Sequence, residues 1–208
     1  DDGVGRILEW LRQSGKDKNT VVIFVSDNGG FTGKWDGETV NNNAPLRAGK
    51  GTLYEGGIRI PWFMRVPGIE KASKVDIPVT TTDILPTLLD LAGLDHPESD
   101  GASLKPLLYK KNFNNGKARP LVFHYPHYYS GTTPVSALRK GDWKLLQYYT
   151  PGGLRFELYD LLEDPRESNN LAEDHVTTVK DMSAELNTNL WEMGANFPRI
   201  NANYESKN

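Results

Sequence analysis

The stretch Val21-Val-Ile-Phe-Val-Ser-Asp-Asn-Gly-Gly30 restricts the fold more than any other part of this chain. Five consecutive apolar residues are followed, after Ser26, by an Asp-Asn pair and two glycines. Such a run reads as a strand buried on both faces, the kind found in a parallel sheet. In open α/β sheets, ligand sites lie beyond the carboxyl ends of the strands. Asp27 and Asn28 occupy that place. A carboxylate beside an amide oxygen, with glycines that let the chain turn tightly, suits a hard cation such as calcium or magnesium. The same residues also suit an Asx turn that does no more than end a strand.

A second stretch, Leu46-Arg-Ala-Gly-Lys-Gly-Thr-Leu-Tyr-Glu-Gly-Gly-Ile-Arg-Ile-Pro61, concentrates cations and glycines. Lys50 lies between Gly49 and Gly51, where nothing bulky shields its ammonium. A lysine so placed can reach a tetrahedral oxyanion as a point charge. It does not form a phosphate loop, because Ala44 and Gly51 stand where that pattern needs glycine and Ser or Thr. Taken alone, Gly-Lys-Gly also fits a flexible surface loop.

Together the two stretches resemble the sulfatase family in order and spacing. Ser-Asp-Asn-Gly-Gly at 26–30 is similar to that family's second metal-ligand segment, and Gly-Lys-Gly-Thr-Leu-Tyr-Glu-Gly-Gly-Ile-Arg-Ile-Pro at 49–61 to its second signature. Thr82-Asp-Ile-Leu-Pro-Thr-Leu-Leu-Asp-Leu-Ala-Gly93 resembles the helix that follows in sulfatases. Ser136–Leu146 and Leu158–Leu171 resemble strands of the small C-terminal subdomain. The resemblance implies an α/β fold. Residues 1–115 would be the C-terminal portion of a catalytic domain with a mixed or parallel sheet. Residues 116–208 would be a small antiparallel-sheet subdomain with a C-terminal helix.

The family's nucleophile, formylglycine, derives from Cys or Ser in a Cys/Ser-x-Pro/Ala-x-Arg motif. This chain has no Cys, and none of its serines begins that motif. Asp1-Asp2 does not supply the family's first metal pair. It precedes Val4, Ile7, Leu8 and Leu11, whose spacing is helical. The expectation is a chain that begins mid-domain, inactive alone, and in need of the N-terminal half or of a second copy to cover a cut sheet.

The resemblance implies hydrolysis of an aryl or carbohydrate sulfate ester by the complete enzyme. Hydrated formylglycine would attack sulfur, the alcohol would depart, and sulfate would then be eliminated. Asp27 and Asn28 would complete a calcium site, and Lys50 would bind a sulfate oxygen near the bridging oxygen. A phosphoester or phosphonate hydrolase of the same superfamily places similar demands on metal and lysine. A non-catalytic binding or assembly module is a third reading. The compartment implied by resemblance is periplasmic, extracellular or lysosomal in type.

A net charge of −3 gives no reason to expect nucleic acid. No apolar run approaches the roughly 20 residues that span a bilayer, and the lack of cysteine excludes disulfides and thiolate metal sites. Beyond the first strand, a long loop rich in glycine and asparagine runs to about Gly51, and Ile60–Val66 reads as a further strand. Asp83 is a candidate cap for a helix whose buried stripe is Ile84, Leu85, Leu88 and Leu89. Residues 110–120 mark an internal boundary. Leu121–Tyr125, Ser136–Tyr149 and Leu154–Leu161 predict an antiparallel sheet, with a turn or bulge at Lys140-Gly-Asp142. Glu173–Met193 predicts an amphipathic helix buried along Val176, Val179, Met182, Leu186, Leu190 and Met193.

His124 and His127 flank a Tyr-Pro pair, with Tyr128, Tyr129 and Ser130 following. His127 is a candidate substrate-binding residue, because the resemblance places this subdomain beside the cleft. His124 fits a hydrogen-bonded histidine in an edge strand, and His96 and His175 fit solvent-facing positions. Arg47 and Arg59 could meet an anionic substrate or tie the loop down. Glu55 is given no role, and Glu163, Asp164 and Glu167 read as a solvated turn.

Overall fold

The computed structural model describes residues 1–95, 97–109, 119–128 and 132–199. In chain order come α1 (Asp2–Gln13), β1 (Val22–Val25), β2 (Lys34–Trp35), β3 (Glu38–Thr39), α2 (Glu55–Ile58) and β4 (Trp62–Arg65). After them follow α3 (Ile84–Leu91), α4 (Lys105–Tyr109), β5 (Leu121–Tyr125), β6 (Val135–Lys140), β7 (Trp143–Thr150), β8 (Gly153–Asp160) and α5 (Val176–Glu192). The fold is mixed α/β, as expected. Two compact units form, Asp1–Ser26 with Pro61–Ala118 and Asp27–Ile60 with Arg119–Asn208. The boundary expected at 110–120 falls largely outside the described residues, as do His96, Tyr129 and Ser130.

In the first unit, α1 ends where Ser14 donates its amide to the Trp10 carbonyl and Gly15 turns to φ 68°. Only glycine adopts that conformation at little cost. Of the predicted apolar stripe, Leu11 is buried while Val4 and Ile7 are exposed. β1 pairs antiparallel with β4, Val22 opposite Arg65 through Val25 opposite Trp62, and Phe24 is 48% exposed. This corrects the reading of a parallel strand buried on both faces. An apolar run reports which faces favour burial, whereas direction is set by the neighbour that completes the ladder.

The helix after residue 80 also departs from expectation. A short 3₁₀ turn, Thr81–Asp83, precedes α3 and is capped by Thr80, joined to Asp83 in a reciprocal capping box; Asp83 does hold the N-cap position of α3, but its side chain makes no cap bond there. The buried Asp83 carboxylate accepts the Thr80 amide at 2.9 Å and the Ala102 amide at 2.7 Å. Thr87 accepts the Leu104 amide at 2.8 Å, and Lys105 bonds Asp90 at 2.9 Å. These polar ties draw the 101–105 segment onto the Pro86–Thr87 face, so Leu85 and Leu88 stay exposed.

The second unit is built on one antiparallel sheet in the order β5-β6-β7-β8. Successive side chains of a strand point to opposite faces, and both faces of this sheet are covered. Val135, Ala137, Leu146, Tyr148 and Tyr159 pack against Leu53, Tyr54 and Ile58 from the second motif. Leu138, Leu145 and Leu158 pack against Val179, Met182, Leu186 and Leu190 of α5. The middle of the predicted α5 stripe is therefore core, while its ends, Val176 and Met193, are exposed. Lys140-Gly-Asp142 is a tight turn, with Gly141 at φ 61°.

Candidate active site

Both sequence motifs reach the second unit, and their backbones are joined. The Gly29 amide donates to the Gly57 carbonyl at 2.8 Å, and the Lys50 amide to the Gly30 carbonyl at 3.1 Å. Asn43, in the long loop between them, acts as a clasp. Its Nδ2 donates to the carbonyls of Gly30, Ala48 and Gly56 at 2.8, 3.0 and 3.1 Å. The contact is so close that a Cβ on Gly29 would collide with the Gly56 carbonyl, and one on Gly56 with the carbonyls of Arg47 and Ala48. Glycine is needed at both positions for want of space.

Lys50 stands at the corner of a four-residue turn closed by the Thr52 amide on the Gly49 carbonyl at 3.1 Å. Gly51 follows at φ 89°, a value that favours glycine at the third turn position. The lysine is exposed, and so is Asp27. Asn28 donates its Nδ2 to Asp27 Oδ2 at 2.5 Å, which engages the nitrogen side of the amide. The pair fits a hard cation as part of a ligand set. Among the described residues no group of three or more His, Cys, Asp or Glu is placed to hold a metal ion.

His127 follows β5 as an exposed side chain, its ring edge-on to Tyr125 at 5.6 Å. His124 is structural. Its Nε2 lies 2.9 Å from the Asn196 carbonyl, which can only accept, so that nitrogen carries the proton. Its Nδ1 lies 2.7 Å from Ser136 Oγ, and Ser136 meets Tyr149 OH at 2.8 Å. His175 is exposed at the start of α5, against Trp143 at 5.2 Å.

Arg47 ties the loop down. It donates to Tyr159 OH at 2.9 Å and to the Glu167 carbonyl at 2.7 Å, and its guanidinium lies 3.9 Å over the Tyr54 ring. Arg59 is half exposed, 3.9 Å from Glu55. Glu167 overturns the solvated-turn reading, for it is fully buried. Its Oε2 accepts the Glu55 amide at 2.6 Å, and Oε1 lies 2.8 Å from Lys144 Nζ. Lys144 is equally buried and reaches Glu55 Oε1 at 3.0 Å, with Arg139 3.5 Å from Oε2 of the same carboxylate. Burial pushes the Glu167 carboxyl above its usual range despite the Lys144 charge and the Glu55 amide. One signal for this cluster stood in the sequence. Lys144 shares its strand face with Leu146 and Tyr148, and a lysine on an inward face needs a carboxylate partner.

The profile of the sulfatase family matches residues 1–94, and that of the N-sulphoglucosamine sulphohydrolase C-terminal family matches residues 48–196. A sulfatase of Formosa agariphila is 35% identical over 95% of this chain and 39% of its own length.

The chain belongs to the sulfatase family.

This sulfatase chain is also 31% identical, over 82% of its length, to an N-acetylglucosamine-6-O-sulfatase of Bacteroides thetaiotaomicron, of which it covers 30%. Among solved structures, Ps i-CgsB in complex with k-i-k-neocarrahexaose aligns at a TM-score of 0.77 and 30% identity. That alignment takes in 92% of this sulfatase chain and 41% of the other. The chain thus spans well under half the length of the relatives it matches.

Proposed function

We propose that the whole protein hydrolyses the sulfate ester of a carbohydrate or aryl alcohol, with a sulfated glycan as the favoured substrate class. The observation that carries this reading is the backbone junction between the Asp27–Asn28 segment and the Lys50 turn, in a chain of the sulfatase family. Two relatives support the glycan, one by its name as an N-acetylglucosamine-6-O-sulfatase and one by its bound neocarrahexaose.

In this reading Lys50 is the catalytic cation. Its exposed ammonium binds a non-bridging sulfate oxygen and offsets charge that builds near the bridging oxygen as the S–O bond breaks. Asp27 and Asn28 would supply two oxygen ligands to a calcium ion, as part of a larger ligand set. Calcium, when bound, supplies Lewis-acid stabilisation to a sulfate oxygen. His127 contacts the sugar beside the cleft. Residues 1–115 complete the catalytic domain, and 116–208 form the C-terminal subdomain. The compartment is non-cytoplasmic, in keeping with the family.

The test is Lys50→Ala in the full-length enzyme, assayed on an aryl sulfate and an aryl phosphate in parallel. The expected outcome is a fall in kcat/KM of at least ~10²-fold on the sulfate, the scale of losing one such contact. Near-native turnover of the variant removes Lys50 from the site, and wild-type preference for the phosphate overturns the substrate class.

A further inference from the structure

Glu167 grips the loop that carries Lys50 at both ends. Its carbonyl holds Arg47 at 2.7 Å, three residues before the lysine, and its carboxylate holds the Glu55 amide at 2.6 Å, five residues after it. Glu167 does so with φ 54°, a left-handed conformation uncommon for a residue with a side chain. Lys144, central in the sheet, pins both glutamates, at 3.0 Å to Glu55 and 2.8 Å to Glu167. Glu55 opens α2, whose next two residues complete the junction. The Gly56 amide meets the Arg47 carbonyl at 2.9 Å, and the Gly57 carbonyl takes the Gly29 amide.

Stability alone gives little reason for three buried charges. Well-packed apolar side chains of similar volume often serve as well or better, because each charge must be stripped of water. What ions and their hydrogen bonds add here is one defined geometry. We propose that Lys144 and Glu167 are positioning residues for the reaction. They fix the Arg47–Glu55 loop against the sheet, and through α2 they set the Lys50 turn in register with the Asp27–Asn28 segment. This inference rests on the functional reading above.

The experiment compares Lys144→Met, Glu167→Gln and Lys50→Ala, singly and paired, in the full-length enzyme, with rates normalised to folded protein. Lys144→Met and Glu167→Gln are expected to lower kcat about 10- to 10²-fold, the scale on which a shift of about 1 Å acts, with KM changed less. Lys144→Arg, which keeps the charge, is expected to recover part of the loss. In Lys144→Met the carboxylates of Glu55 and Glu167 lose the ammonium that holds them both, while Arg139 and Arg59 stay 3.5 and 3.9 Å from Glu55. In the Lys50→Ala background the same two changes should cost little more, because they act through the lysine.

Native kcat in folded Lys144→Met and Glu167→Gln, with Lys50→Ala inactive, overturns the positioning role and leaves the functional reading intact. Fully additive losses also overturn it. Near-native Lys50→Ala overturns the functional reading instead. If Lys144→Met does not fold, Glu167→Gln carries the same comparison, since its amide oxygen still accepts the Glu55 amide.

Discussion

Glu157 shows how much one carboxylate can organise. It accepts hydrogen bonds from Tyr54 OH at 2.7 Å, Tyr159 OH at 2.9 Å and Arg155 at 2.5 Å. Burial pushes its carboxyl up, but those three donors outweigh it and the group sits below its usual range. The same burial drives the Tyr54 and Tyr159 phenols well above theirs, so both remain donors. A lowered carboxyl contributes stability that is present above the unfolded value and lost as pH falls through the folded one. Glu157→Gln should therefore lower the urea midpoint at neutral pH, and the gap should close as pH falls below the ordinary carboxylate range. A gap constant across pH would contradict this. Glu167, raised by burial, has the opposite sign, since its contribution is greatest at low pH and is lost as pH rises through the raised value. The burial of Glu167 was not legible in Glu163-Asp-Pro-Arg-Glu167, where acids and a proline read as a wet turn. Asp164 does behave so, accepting the Ser168 and Asn169 amides at 2.7 and 2.9 Å. What separates it from Glu167 is a partner distant in sequence.

At the level of elements, α5 and the sheet beneath it were legible because their periods are clean. Alternation along β7 sends Leu145 towards α5 and Leu146 towards the glycine-rich loop, both fully buried. Leu186→Ala should cost about 2–5 kcal/mol in chemical denaturation, as for other fully buried leucines. Val176→Ala, at a residue 67% exposed, should stay within about 0.5 kcal/mol. Equal effects would mean that α5 does not dock as described. Elements without a period went unread. The β2–β3 hairpin turns through Asp36 and Gly37, at φ 51° and 84°, inside what reads as plain loop. α2 is a single turn holding two glycines, poor helix formers that tertiary hydrogen bonds hold in place. In α3, Leu85 and Leu88 marked an apolar face correctly, yet polar ties drew the neighbouring segment to the other side.

For the molecule as a whole, the candidate site has a chemical stoichiometry that can be weighed. Asp27 and Asn28 offer adjacent oxygens, while calcium takes six to eight. This 208-residue chain by itself should bind calcium more weakly than about 1 mM by calorimetry. Micromolar binding abolished by Asp27→Ala would contradict that expectation. The adjacency of the two motifs, by contrast, is an outcome of folding that no spacing rule gives. Gly29 and Gly56 meet with no room for even a methyl group, and Asn43 holds three carbonyls beside them. Peptide units, which have no rotamers, therefore set the gauge between the acidic pair and the ammonium. Mutational drift can alter what is mounted on either rail; widening the track would require bending the main chain itself.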